Sequence, residues 1–165
     1  MITLIEEVEM EFYYCKAVKE FISEAVGDEI TCEDSKPSGD YLQAFEVCLA
    51  VRMYQPLDNY MFLVFSNVFL ARLTLILLKK NDIDIRGITV SEIKNYFNLI
   101  MTPIIAKYIK QIPINPVPLE IGKTCAVSVN IMDTAFMQKL RYCRIGDNLI
   151  GMGILNKSRR EIVPR

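Results

Sequence analysis

Histidine and tryptophan are both absent from this chain of 165 residues. Without histidine the commonest general base and the commonest metal ligand are missing, which argues against zinc and against His-dependent catalysis. A C-x-x-C pair and an N-terminal secretory signal are also lacking. The cysteines, Cys15, Cys32, Cys48, Cys125 and Cys143, are odd in number and widely spaced. They fit a reduced, intracellular compartment. Gly151-x-Gly153 lacks the third glycine and the following Lys-Ser/Thr of phosphate-binding loops. No catalytic, metal-ligating or cofactor-binding set stands out, so a non-enzymatic protein without a cofactor is expected.

What is present is apolar. Hydrophobic residues make up 52% of the chain, which is high for one domain, so some of that surface is expected to face a partner. A chain of this length buries roughly 70% of its unfolded surface. The net charge is −1, yet residues 1–50 carry 3 Lys/Arg against 12 Asp/Glu while residues 51–165 carry 16 against 8. Such asymmetry implies an internal electrostatic match or two surfaces for different partners; two ordinary solvated faces would look the same.

The most apolar run is residues 60–78, YMFLVFSNVFLARLTLILL. A bilayer-crossing helix needs about 20 such residues. Arg72, near the middle, would cost about 2.5 to 3.5 kcal/mol on insertion. At about 100° per residue, Asn59, Ser66, Asn67 and Thr74 fall within roughly a third of the circumference. A nearly surrounded core helix, capped by Asp58 and continuing to Lys80, is therefore expected, with no membrane span. Burying Arg72 unpaired is too costly, so it is expected to meet a carboxylate of the first helix or of another subunit.

Caps mark the other helices. Thr3 with Glu6 has capping-box spacing and launches a helix over residues 4–26, whose stripe includes Phe12, Cys15, Val18 and Ile22 and which ends at Gly27. Glu6, Glu7, Glu9 and Glu11 suit the positive end of its dipole; a second ligand set for metal or paired-carboxylate chemistry is missing. Residues 28–39 form an acidic loop, and Asp40 caps a helix over residues 41–53. Thr89 with Glu92 repeats the capping box and opens a helix with Ile93, Phe97, Ile100 and Met101 on its apolar side. Thr102 and Pro103 start a further one, ending near Gln111, since proline is best placed at the first helical position.

Pro113, Pro116 and Pro118 favour an extended linker. Beyond it the apolar period falls to two, with Val127, Val129 and Ile131 alternating with polar neighbours. Residues 140–145 and 149–155 make a hairpin through Gly146, Asp147 and Asn148, residues 161–163 add a last strand, and Gly151 and Gly153 imply a bulge or bend. The expected architecture is mainly α: a bundle of four to five helices (residues 1–111), a proline-rich linker (112–124) and a small β-rich C-terminal module (125–165). That module is basic, with Lys139, Arg141, Arg144, Lys157, Arg159, Arg160 and Arg165 against Asp147 and Glu161. It suits protein docking, weak nucleic-acid contact with Tyr142 and Phe136 as stacking partners, or simple solvation.

This order of modules resembles the GINS subunits of archaeal and eukaryotic replication. The likeness is carried by residues 129–163, VNIMDTAFMQKLRYCRIGDNLIGMGILNKSRREIV, where Phe136, Tyr142, the turn at Gly146 and Asp147, and the pair Ile162 and Val163 stand at family positions. The segment ARLTLILLKKNDIDIRGITVSEIKNYF is similar to the family's basic-apolar helix, connector and Thr-capped helix. The resemblance implies a scaffold that joins other subunits of an oligomer and ties the MCM helicase to a Cdc45/RecJ-like protein. Arg72, Tyr142, Arg144, Asp147, Arg159 and Arg160 are then the candidate docking residues. The same helical segment also resembles the archaeal primase large subunit, implying a nucleic-acid-binding primase accessory; a helical adaptor outside replication is a further reading.

Overall fold

The computed structural model describes residues 7–27, 30–31, 45–112, 118–129 and 134–156. Helix α1 (Glu7–Val26) is followed by β1 (Ile30–Thr31), the hairpin of β2 (Val47–Gln55) and β3 (Asn59–Phe65), and helix α2 (Asn67–Lys80). A short helix α3 (Val90–Ile93) and a 3₁₀ turn (Lys94–Tyr96) lead into α4 (Asn98–Gln111). Then come β4 (Glu120–Ile121), β5 (Cys125–Ser128), α5 (Thr134–Gln138) and the hairpin of β6 (Arg141–Ile145) and β7 (Asn148–Asn156). The strands join in one seven-stranded sheet ordered β1-β6-β7-β3-β2-β4, with β5 also on β2. Every pairing is antiparallel.

Successive side chains on a strand point to opposite faces; the helices cover one face, and the other is covered at one end and open at Arg52, Tyr54 and Tyr60. Leu49, Val51, Met53, Met61, Leu63 and Ile150 turn towards α1, α2 and α4, meeting Tyr14, Ile22, Leu73 and Ile104 in the main core. Cys48, Val64 and Tyr142 turn the other way, into a smaller core with Phe45, Met137 and Leu140 beneath α5. The Phe136 ring of α5 meets the Phe62 ring edge-on at 4.8 Å.

The expected mainly α bundle does not form. Residues 60–78 divide at Ser66 into strand β3 and helix α2. Because the residues of β3 from Tyr60 to Phe65 are apolar on both faces, they run without alternation in the sequence, and periodicity cannot separate the strand from a buried helix. The Ser66 hydroxyl accepts from the Phe69 amide at 3.1 Å and starts α2. The supposed polar strip is thus dispersed: Asn59 lies buried on β3, Asn67 bonds Glu46, and Thr74 donates back to the Leu70 carbonyl at 2.7 Å. Residues 41–53 behave likewise, giving strand β2 from Val47 onwards, while Asp40 lies outside the described residues. Asp58 caps no helix but grips Arg52 across the β2–β3 turn at 2.8 and 2.9 Å.

Nor do the C-terminal strands form a module of their own. β5 pairs along β2 from Val47 to Ala50, and β7 pairs with β3 from Asn59 to Val64. That register runs unbroken past Gly151 and Gly153, so neither glycine marks a bulge. They make room instead: a Cβ on Gly151 would lie 2.3 Å from Val64 Cγ2, and one on Gly153 would lie 2.4 Å from Leu140 Cδ2. α4 passes through Pro103 without a break; the proline stands six residues in and leaves the Leu99 carbonyl without its helical donor.

Three local backbone signals hold, whereas the Asp58 cap and the Thr102–Pro103 helix start do not. Gly27 adopts φ +81° after α1 and donates to the Ser23 carbonyl at 2.8 Å. Thr89 and Glu92 form the capping box of α3, and Gly146 turns the β6–β7 hairpin with φ +55°. The Thr3 and Glu6 cap, Pro113 and Pro116, and the strand over residues 161–163 lie outside the described residues. Part of the charge asymmetry is matched internally, since Glu11 of α1 pairs with Arg141 at 2.6 Å and Glu24 with Lys107 at 3.4 Å. Arg72, by contrast, is exposed on α2, so the burial cost that called for a carboxylate partner does not arise.

Candidate functional surface

Two clefts among the described residues each hold an arginine that is already engaged. A cavity of about 280 Å³ between α1 and the β6–β7 hairpin is lined by Phe12, Cys15, Lys19 and Tyr142 and is crossed by the Glu11–Arg141 ion pair. A second, of about 230 Å³, lies on the face of β2 and β3 away from α1, between Tyr54, Tyr60, Lys123 and Cys125. Its Arg52 guanidinium sits 4.6 Å from the Tyr54 ring centre and 5.4 Å from that of Tyr60. The hydrogen bonds to Asp58 raise the Arg52 pKa further above its already high ordinary value. Burial pushes the Cys48 thiol up to about 12, so it carries no thiolate at neutral pH. Among the described residues no group of three or more His, Cys, Asp or Glu could hold a metal ion.

Residues 90–98 differ from both clefts. The capping box fixes the start of α3, with the Thr89 hydroxyl accepting from the Glu92 amide at 3.2 Å and the Thr89 amide donating to Glu92 Oε2 at 3.4 Å. Phe97 is buried and Ile93 packs on the core, which sets which way the segment faces. Asn98 Oδ1 accepts from the Thr124 amide at 3.2 Å and ties the start of α4 to the segment before β5. Ser91, Glu92, Lys94 and Asn95 are left exposed. Glu92 and Asn95 are three apart, hence neighbours one turn along a helical surface. The result is an exposed polar ridge carrying an acceptor, an amide that both donates and accepts, and a cation.

The residues singled out from the sequence are not brought together. Tyr142 is 5% exposed, with its ring 5.3 Å from Phe45 and its hydroxyl donating to the Met137 carbonyl; burial pushes its pKa up to about 12. Arg144 is half-buried on the same strand, and Asp147 is exposed in the turn that follows. Arg72 belongs to the helical layer on the other side of the sheet. Arg159 and Arg160 lie outside the described residues. Asn95 carried no signal of its own; its exposure three residues after a capping glutamate is what could have drawn notice.

No family model matches the chain, and no curated protein is a match in sequence. Solved structures do match in fold. CheX from Borrelia burgdorferi, in a CheX-CheY-BeF3-Mg2+ complex, superposes with a TM-score of 0.55 at 10% identity over 92% of this chain and 97% of that one. The chemotaxis protein CheX from Vibrio vulnificus gives 0.55 at 10% identity, over 92% and 100%. Thermotoga maritima FliY gives 0.50 at 10%, over 96% and 93%. These likenesses overturn the GINS resemblance, and with it the replication scaffold and the helicase and primase partners, since a helical bundle with an appended β module is not what folds. Among the described residues no helix is long and apolar enough to cross a membrane. The chain has the fold seen in CheX.

Proposed function

We propose that this chain is an intracellular protein-docking module of the chemotaxis class, engaging a CheY-like receiver protein through the ridge at residues 90–98. The observation that carries the reading is the pairing of that exposed ridge with a fold whose neighbour is complexed with CheY in the presence of BeF3 and Mg2+. Beryllium fluoride with Mg2+ has the shape and charge of a phosphoryl group, so the state of the partner that matters is the phosphoryl-bearing one. Glu92, Lys94 and Asn95 supply hydrogen bonds and charge of both signs to such a partner, while both clefts have their arginines engaged. The test is calorimetric titration of the full chain with a receiver from the same organism, with and without BeF3 and Mg2+. Tightening of about tenfold or more by BeF3 is expected; equal affinity, or no binding in either state, refutes the reading.

The Glu92 and Asn95 pair favours a second reading, that docking also removes the phosphoryl group. Phosphoryl transfer relies on positioning, and a side-chain amide or carboxylate can hold the attacking water in line. The water oxygen bonds to phosphorus, the bond from phosphorus to the partner's oxygen breaks with its electron pair staying on that oxygen, and both water protons leave on the dihydrogen phosphate, which then equilibrates with solvent. Asn95→Ala and Glu92→Gln are the variants to use, because glutamine still completes a capping box and leaves α3 in place. Loss of the accelerated phosphate release with binding retained supports this reading. A partner whose phosphoryl lifetime the wild-type chain does not shorten leaves docking as the whole activity.

A further inference from the structure

We infer that the exposed strip of α2 formed by Val68, Arg72, Leu75 and Lys79 is a second docking surface, and that its partner is an acidic amphipathic helix. α2 buries Phe69, Leu70, Leu73, Leu77 and Leu78 in the protein, yet leaves Val68 76% and Leu75 40% exposed. At about 100° per residue Val68, Arg72, Leu75 and Lys79 lie within about 60° of arc, spaced by four, three and four residues as helix-contact positions are. Apolar and cationic side chains alternate along the strip, with Ala71 beside it as a small, exposed neighbour.

Charge decides the partner. α2 holds no Asp or Glu anywhere in NVFLARLTLILLKK, and among the described residues no carboxylate pairs with Arg72 or Lys79. Two apolar knobs separated by cations call for a surface that is apolar at the same spacing and acidic between. Eleven rises of about 1.5 Å make the strip about 16 Å long, matching about three turns of a partner helix. An anionic membrane is the weaker fit: the opposite face of α2 is locked in the core, so only a narrow arc could reach the lipid, far less than an interfacial helix buries. A second copy is also weaker: packed antiparallel, the strip would set Arg72 against Leu75 and Lys79 against Val68, bringing four cations together with no carboxylate between them.

The probe is a synthetic helical peptide of about 14 residues, with leucines at three- and four-residue spacing and glutamates between, beside a counterpart with lysine for every glutamate. Anisotropy of the labelled peptide with the full chain should show saturable, salt-weakened binding. That binding should fall about tenfold or more in Arg72→Glu and in Leu75→Asp, and the lysine peptide should not bind. Both variants are surface changes, and an unaltered urea midpoint confirms that each stays folded; Lys79→Glu serves in place of either that does not. Several results overturn the inference: no saturable binding, equal binding by the lysine peptide, or binding that none of these variants weakens. So does a self-association in sedimentation that Leu75→Asp abolishes, or recruitment to phosphatidylserine vesicles that Arg72→Glu abolishes. None of these readouts involves residues 90–98, so the outcome is separable from receiver docking.

Discussion

Replacing Gly151 by alanine adds one methyl group where two buried side chains already meet. Its Cβ would stand 2.3 Å from Val64 Cγ2 and 2.8 Å from Tyr142 Cε1, whereas ordinary contact begins at 3.4 Å. Neither neighbour can withdraw cheaply. Val64 is fully buried and β-branched, with one strongly restricted χ1. Tyr142 is pinned by its hydroxyl to the Met137 carbonyl and by its ring to Phe45. Overpacking of this kind costs about 1 to 3 kcal/mol, and a ring that shifts loses a hydrogen bond of about 1 kcal/mol. Reduced freedom of the unfolded chain returns about 0.4 to 1 kcal/mol. A net loss of about 2 kcal/mol is expected, and with a urea m-value of about 1 to 3 kcal/mol/M the midpoint should fall by about 1 M. Adding Val64→Ala should recover part of the loss, with a coupling of about 1 kcal/mol in a double-mutant cycle. A midpoint unchanged or raised by Gly151→Ala would mean that the entropy gain dominates and that β3, β6 and β7 do not approach as closely as described.

Asn59 is fully buried and accepts from the Tyr108 hydroxyl at 3.2 Å; Asn59→Ala should cost about 2 to 3 kcal/mol because that hydroxyl is left unpaired, and adding Tyr108→Phe should cost little more, as denaturant titration of the single and double variants will show. Cys48 gives a pH effect whose sign follows from its folded-state pKa of about 12 against an ordinary 9.0. The unfolded chain releases the thiol proton from about pH 9 while the folded protein keeps it, so the stability is fully present below pH 9 and drains away as pH rises towards 12, by about 1.4 kcal/mol per pH unit. Urea midpoints measured between pH 8 and 10 should therefore fall less steeply in Cys48→Ala than in the parent, and parallel slopes would refute the assignment.

What was legible in the sequence was chemistry that acts within a few residues. A glycine past a helix end, a Thr and a Glu at capping-box spacing, and a Gly-Asp hairpin turn each dictate local backbone, and all three stand where they were expected. What failed was the choice between strand and helix for segments buried all round. From Val47 to Val51 on β2 and from Tyr60 to Phe65 on β3 every residue is apolar on both faces, so a period of two shows only at Arg52 and Tyr54, near the end of β2. The composition did carry a trace. Tyr60, Phe62, Val64 and Phe65 are β-favouring residues, whereas ARLTLILLKK is rich in helix formers, and Ser66 with Asn67 marks the change between them. Arg72 misled because the residues around it in sequence are apolar; on α2 Leu70 and Leu73 point inwards, while the arginine looks out.

The ridge at residues 90–98 was hidden for a different reason. A capping box accounts for Glu92 completely, so once the helix start had been explained nothing remained to ask of that side chain. Yet capping and docking are compatible in one residue. The bond from the Thr89 amide to Glu92 Oε2 is long, at 3.4 Å, and lies at the exposed end of α3, while the reciprocal bond from the Glu92 amide to the Thr89 hydroxyl is 3.2 Å and needs only the Glu92 backbone. Turning the carboxylate towards a partner therefore gives up the weaker half of the box, within the range of about 0.5 to 2 kcal/mol that a whole cap contributes. A charge-assisted bond to a buried partner donor is of equal or greater size, about 1.5 to 3 kcal/mol. The exchange is close to balanced, so the carboxylate can hold the helix start in the free protein and be released to a partner without α3 unwinding.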